Sequence, residues 1–492
     1  LGLLYPSLAL VEQLDPLMIA RECGANGSVP TLAAVLEKAT ERASALLQEV
    51  FASLDKRAFD PTAAGPADEN WYWAAPILID RRRRAGDVNS WLTSPETPAA
   101  WAGKDPKDKE TSGEEEDSLW DQHVARAAAL QAGRGAIQLG RPPEDLARVV
   151  ALLGLAGPAV AAARSLARSV GGVASAHGPT LRDSAGAVAW AFRNLFNLPE
   201  TIALVRGFNS AEPYWLRVLE YCAGGGLQSA LDEYVHVLKE SLGLIDKPPD
   251  ATIAAIGQEI RDALSLRTAG LNVDLLTPQD GRVAIQTQRM RARFAVRFGQ
   301  EQSDDDGGAA NRAEQVRSAF NSPFWPFVLA TTSVGQEGLD FHTYCHAVVH
   351  WNLPSNPVDL EQREGRVHRY KGHAVRRNLA RRYGLTNGTG AGSADPWVHL
   401  FDQAAAERSV ASDVTPYWVF AVPDGAHIER HVPALPLSRD TDRLERLRRS
   451  LAAYRMVFGQ ARQEELLAYL LSRFPVGETA QLAENLRIDL SP

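Results

Sequence analysis

FVLATTSVGQEGLDFH, running from Phe327 to His342, passes from an apolar run through three hydroxyl side chains to a glycine-bracketed acidic turn. Phe327 to Ala330 is a short apolar run and predicts a buried strand. It breaks into Thr331, Thr332 and Ser333, after which Gly335 and Gly338 bracket Gln336 and Glu337. So polar, glycine-rich and acidic an end to a buried strand asks for a reason beyond chain reversal.

Two further segments of strand character flank it, ARFAVRFG at 292–299 and HAVVHWNL at 346–353, with helix-like stretches and a Gly/Asp-rich loop between. Strands alternating with helices predict an α/β layer on a mainly parallel sheet. YWVFAV, Tyr417 to Val422, is a candidate edge strand.

Downstream, WNLPSNPVDLEQREGRVHRYKGH runs from Trp351 to His373. Asn356 suits an N-cap, Pro357 the first helical position, and Asp359 puts negative charge in the first turn, so a helix should begin here. Along it Gln362, Arg366 and Arg369 stand at i, i+4 and i+7 and share a face, projecting an amide and two guanidinium groups together. Gly365 within that helix costs about 1 kcal/mol relative to alanine, which points to a close backbone approach or a ligand. From Arg363 to Arg382 eight Lys or Arg residues stand against one acid, Glu364. Solvated helix faces usually interleave both signs. This run instead offers a local polyanion site on an acidic protein.

The whole chain has 492 residues, 45% hydrophobic and 23% charged, with a formal net charge of −8. That is an ordinary globular composition, and the length predicts two or three domains. Cys23, Cys222 and Cys345 are odd in number and far apart, which speaks against a disulfide framework and predicts a reducing, cytoplasmic setting. No run of about 18 uncharged apolar residues and no signal-peptide pattern occurs, so no membrane partner is expected. The first residue is Leu1 rather than methionine, which suggests a fragment lacking its upstream half.

Five regions are predicted. Residues 1–60 are helical, and 61–121 form a linker and acidic insertion in which GKDPKDKETSGEEEDSLWD reads as a solvated loop. Residues 122–269 return to helical patterning, 270–400 carry the strand–helix alternation, and 401–492 end in a long amphipathic helical segment that braces the lobe.

ATTSVGQEGLDFH, followed from Gln362 by QREGRVHR, resembles motifs V and VI of superfamily-two helicases. NLPSNPVDLEQREGRVHR is most similar to the Swi/Snf-like group, which includes bacterial RNA-polymerase-associated translocases and the helicases of DISARM-type phage-defence systems. RAEQVRSAFNSP resembles the segment preceding motif V in that group. The resemblance covers roughly Arg289 to His373 and implies a RecA-like parallel-sheet helicase C-terminal lobe, α/β in class, at 270–400, with large flanking α-helical regions.

In such enzymes two RecA-like lobes sandwich ATP with Mg²⁺, so the resemblance implies the C-terminal half of an ATP-dependent translocase on double-stranded DNA. The polar strand end then sits between two ligands. Thr331, Thr332 and Ser333 would meet nucleic-acid phosphates, joined by Lys371, Arg376 and Arg377 of the basic run. Gly338 and Asp340 would meet the nucleotide, with Gln362 and Arg363 coupling the motifs. Arg366 and Arg369 would be the catalytic pair at the γ-phosphate, Arg369 as an arginine finger worth about 10³ to 10⁵ in rate. The implied partners are nucleic acid, an absent N-terminal RecA-like lobe, and a polymerase or defence-system components.

The sequence contains no G-x-x-x-x-G-K-[ST] phosphate loop. The first lobe, which would grip the phosphates and Mg²⁺, is therefore expected outside this chain, and the chain alone is not expected to hydrolyse ATP. Asp232-Glu233 could be mistaken for an acidic Mg²⁺ pair, yet LQSALDEYVHVLKESL has helical periodicity. His342, Cys345, His346 and His350 crowd into one short segment, but on an extended strand His346 and His350 stand about 13 Å apart, so no metal site is expected. Arg289, Arg291 and Arg293 fall on one face of a strand, which fits nucleic acid and a solvated edge equally. A function of a different class stays open, a non-catalytic nucleic-acid-binding module that has lost its ATPase lobe.

Overall fold

The computed structural model describes residues 1–24, 28–54, 66–94, 97–101, 114–133, 139–207, 212–265, 269–279, 282–292, 315–331, 341–384, 394–407, 414–433 and 437–456, with scattered positions from 465 to 481. The chain divides into two compact units. The first comprises Leu1–Ala295, Glu314–Pro326 and Tyr383–Leu400, the second Val296–Ala313, Phe327–Arg382 and Phe401–Pro492.

The first unit is built of helices α1 (Leu8–Gln13), α2 (Pro16–Cys23), α3 (Leu32–Ser53), α4 (Trp71–Thr93), α5 (Thr97–Trp101), α6 (Glu114–Ala132) and α7 (Leu146–Ala156). It continues with α8 (Pro158–Ser169), α9 (Gly178–Phe196), α10 (Pro199–Arg206), α11 (Tyr214–Gly224), α12 (Leu227–Ser241) and α13 (Pro249–Leu264). At its centre α8 is buried along its whole length. Pro158 opens it at the first turn, and its small alanines let α1, α7, α9, α12 and α13 close around it.

Two arginines on α8 make this burial tolerable. Arg164 donates from Nε to the Val11 carbonyl at 3.0 Å and from Nη2 to the carbonyls of Leu10, Leu14 and Gly154 at 3.2, 3.1 and 2.7 Å. It thereby satisfies acceptors that a short helix such as α1 leaves open at its C-terminal end. One turn on, Arg168 makes a two-pronged bond to Asp15 at 2.8 and 2.7 Å and also donates to Asp232. Asp15 is at the same time the N-cap of α2. Burial pushes the Asp232 carboxyl up from its ordinary value, against the pull of Arg168 and the Ser165 hydroxyl. Asp232 thus lies inside a helical bundle as an acceptor for the Ser165 hydroxyl and Arg168. A second hub is Asp80, fully buried, which accepts from the Tyr5 hydroxyl, Ser7 Oγ, the Ala9 amide and Arg182.

The span 61–121 is corrected by α4, α5 and the start of α6, which lie where a linker and insertion were expected. The signal was there: Trp71, Ala74, Ala75 and Leu78 stand at i, i+3, i+4 and i+7 and are all buried. Trp120, Val124 and Ala127 of α6 repeat that spacing and are buried as well. After α13 comes an antiparallel hairpin of β1 (Ala269–Gln279) and β2 (Arg282–Ala292), in which Asn272 faces Arg289 and Gly270 faces Arg291. Of the strand expected at 292–299 only Ala292, the last residue of β2, is described; Arg293 and the rest of that span lie outside the described residues.

In the second unit β3 (Ala347–Val349) pairs in parallel with β4 (Glu429–His431), Val348 opposite Arg430. This small parallel pair is consistent with an α/β lobe. Three expectations change. Phe327 to Thr331 is not a paired strand, and Phe327 and Val328 are 76% and 80% exposed; an apolar run makes a strand only where a neighbour accepts its backbone. The 346–353 strand is shorter than expected. The strand in the 417–431 region falls at Glu429–His431, while Tyr417 to Val422 forms a turn and irregular backbone. Among the described residues no single helix is long and apolar enough to cross a membrane; the bent pair α7 and α8 that passes jointly is core.

Candidate functional site

The site grows from the end of β3. His350 continues the ladder, its amide donating to the His431 carbonyl at 2.9 Å, and the chain then turns through Leu353 to the motif helix, Pro357–Gly365. As the sequence predicts, Asn356 caps this helix, its side chain accepting from the Val358 amide at 2.9 Å, with Pro357 and Asp359 in the first turn. Leu360 buries the inner face against Leu353 and Leu447. Each such leucine contributes about 1.5 to 3 kcal/mol through its lost contact with water.

Glu364, the lone acid of the basic run, fixes the outer end of the helix. Its carboxylate takes two hydrogen bonds from Arg430 of β4, both 2.5 Å, and one from His350 Nε2 at 3.0 Å. Burial raises the Glu364 pKa, but the bonds from His350 and Arg430 outweigh it and hold the carboxyl down at about 2.

The helix stops at Gly365, with Arg366 as its C-cap, and Val367 and His368 both donate back to the Glu364 carbonyl. This corrects the shared face. Gln362 is on the helix and exposed, Arg366 is half-buried at its end, and Arg369 is half-buried in the segment beyond. Gly365 is terminal rather than interior, and a Cβ built there would meet no atom of the described residues within 4 Å. Close packing by the described residues is thus not the reason for the glycine. It borders a cavity of about 750 Å³ that Glu361, His368, Asn378, Trp418 and His427 also line.

The two sequence motifs come together here. The Phe341 amide donates to the Arg366 carbonyl at 3.0 Å, and the His373 amide to the His342 carbonyl at 3.4 Å. The last residues of the opening stretch are therefore stitched to the end of the motif helix and to the start of the basic helix, His373–Tyr383. Thr331 is exposed; Thr332, Ser333, Gly338 and Asp340 lie outside the described residues. Arg363 is half-buried and donates to the Asn352 carbonyl at 2.8 Å.

Two residues expected at a nucleic-acid surface are inside instead. Lys371 is only 8% exposed; its Nζ stands 4.2 Å from the centre of the Phe401 ring, with the rings of Tyr370 and Tyr417 at 5.6 and 5.8 Å. Its φ of 48° turns the chain so that its amide reaches the Tyr417 carbonyl. Arg376 is fully buried, donates to the Lys371 and Thr343 carbonyls, and lies over the Tyr344 ring. Both cations are held by aromatic faces and carbonyls, which an apolar surround requires of a buried charge. Arg377 and Arg382 are exposed on the basic helix, as is Arg381, which donates to the Asp424 carbonyl.

The crowded histidines do different jobs. His350 serves Glu364, while His346 faces His373 with ring centres 5.2 Å apart. Burial, then Arg376 and His346, lower the His373 pKa to about 4. Among the described residues no group of three or more His, Cys, Asp or Glu side chains is placed to hold a metal ion. Sequence reasoning missed the Glu364 clamp and the Lys371 cage. The solitary acid in a basic run, and Tyr370 beside Lys371, were the available signals.

A family model described as the helicase conserved C-terminal domain matches residues 305–371. That match ends at Lys371, spans the opening stretch and the motif helix, and supports a helicase C-terminal lobe. No curated protein and no solved structure matches the chain.

Proposed function

We propose that this chain carries the C-terminal RecA-like lobe of a Swi/Snf-like, ATP-dependent translocase that tracks double-stranded DNA. One observation carries the reading: the helicase C-terminal match covers a place where the opening stretch and the motif helix are joined by the Phe341–Arg366 hydrogen bond. In this reading Arg366 and Arg369 stabilise charge that develops on the γ-phosphate, and Gln362 and Arg363 transmit that state to the stretch ending at Phe341. Gly338 and Asp340 serve the nucleotide. Thr331, Thr332, Ser333 and Arg377 meet the backbone of the nucleic acid, with Arg381 and Arg382 in the places first given to Lys371 and Arg376.

ATP with Mg²⁺ would be gripped by an N-terminal RecA-like lobe outside these residues, since the sequence holds no phosphate loop. The half-buried guanidinium groups of Arg366 and Arg369 suit a phosphate oxyanion, for which planar forks are the strongest partners. The decisive test is duplex-stimulated ATP hydrolysis by the 492-residue chain and by a protein extended upstream. Hydrolysis only by the extended protein supports the reading. Duplex binding with no hydrolysis by either protein favours a binding module, and turnover by the chain alone overturns the assignment of the phosphate grip to another lobe.

A further inference from the structure

A second basic surface lies on the C-terminal helix, Asp440–Met456. Leu447 is buried with Leu353 and Leu360, and Leu444 packs on that cluster, so this helix lies against the motif helix. At about 100° per residue, Arg439, Arg443, Arg446 and Ser450 fall within an arc of about 60° beside the leucine face. With Ser355, Asp440 and Leu447 they line a cavity of about 520 Å³.

These arginines differ from the surface arginines of the first unit. Arg83, Arg84 and Arg148 each meet a glutamate at 2.6–2.7 Å and Arg42 meets Glu22, whereas Arg439, Arg443 and Arg446 have no ion-pair partner among the described residues. Asp440 stands at the rim, and Asp442 and Glu445 fall outside the arc. Like charges one turn apart repel, so an uncompensated row is a cost to the free protein that a polyanion relieves.

We propose that this row is a phosphate-binding subsite for consecutive backbone phosphates of the nucleic acid. The proposal rests on the translocase reading and extends its contact surface. From Arg439 to Arg446 the helix rises about 10 Å, enough to span three consecutive phosphates, which are separated by two steps of about 3.4 Å along one strand. Three guanidinium forks meet three phosphates, and the Ser355 and Ser450 hydroxyls donate at the margins.

The test uses the full chain and a fluorescent duplex across a salt series. Replacing Arg439, Arg443 and Arg446 together by alanine is expected to flatten the slope of log Kobs against log salt by about 3, roughly 0.9 per lost contact. The triple lysine variant keeps the charges and is expected to keep the slope. Arg446→Glu, a single exposed change, is expected to lower the slope by about 1 or more and guards against misfolding of the triple variant. An unchanged slope in both the triple alanine and Arg446→Glu variants, with a flattened slope for Arg377→Ala, overturns the subsite and leaves the translocase reading standing. Wild-type chain that ignores the duplex overturns both. Polyglutamate displacing the duplex as well as an oligonucleotide of equal charge assigns the row to an acidic peptide and overturns the phosphate subsite.

Discussion

Glu364 and Arg430 meet through two parallel hydrogen bonds, Nε to Oε1 and Nη2 to Oε2, and the same carboxylate takes a third from His350. One side chain thereby ties the motif helix to β4 and to the end of β3. Its folded pKa of about 2 lies below the ordinary 4.5. Its contribution to stability is therefore complete above about 4.5 and disappears as pH falls through about 2.

Glu364→Gln is accordingly expected to cost about 1 to 3 kcal/mol near pH 6. The wild-type advantage should shrink as the pH is lowered toward 3. Urea unfolding followed at both pH values checks this; an advantage that grows with acidity would refute the clamp.

Lys371 and Arg377 should separate stability from binding. Lys371→Ala removes a cation from its aromatic cage and is expected to cost about 1 to 3 kcal/mol, while leaving the salt dependence of duplex binding unchanged. Arg377→Ala should do the reverse, holding stability near wild type and reducing the salt slope by about 0.9. Thermal melts and duplex titrations on the two variants give the comparison.

In the first unit, Arg168→Met leaves the carboxylates of Asp15 and Asp232 facing a site without its cation, and is expected to cost about 3 to 5 kcal/mol. Asp232→Asn keeps an acceptor for Ser165 and leaves Arg168 with Asp15, so it should cost less. Equilibrium denaturation ranks the two. The opposite order would show that Asp232 carries more of the fold than the arginine between the acids.

For the catalytic assignment, Arg369→Ala in the upstream-extended protein is expected to lower the maximal ATPase rate by about 10³ or more. Lysine should restore little, because a flexible point charge does not reproduce a planar fork. Rates at saturating ATP and duplex decide it, and an unchanged maximum in the alanine variant removes Arg369 from the chemistry.

The motif helix was legible because its start signals are local: Asn356, Pro357 and Asp359 act within one turn, and the cap forms as read. Its end was not. Periodicity carried Arg366 and Arg369 onward past Gly365, whereas the open space beside that glycine and the return bonds to Glu364 close the helix there. Lys371 and Arg376 read as surface charge because sequence counts charges without seeing Phe401, Tyr417 or the Thr343 carbonyl, which come from distant parts of the chain. The helical span from Trp71 was obscured by its arginines and tryptophans, although its buried positions keep helical spacing.

Arg164 joins α8 to the carbonyl of Val11 across 153 positions of sequence. At ribosomal rates of about 5 to 20 residues per second, the first helix waits roughly 8 to 30 s for its partner to be synthesised. During that interval Leu8, Leu10 and Leu14, which the finished protein buries completely, have no core to enter. The order of synthesis therefore leaves the nascent segment around α1 without its buried partner until α8 has emerged, and places completion of this unit after that point.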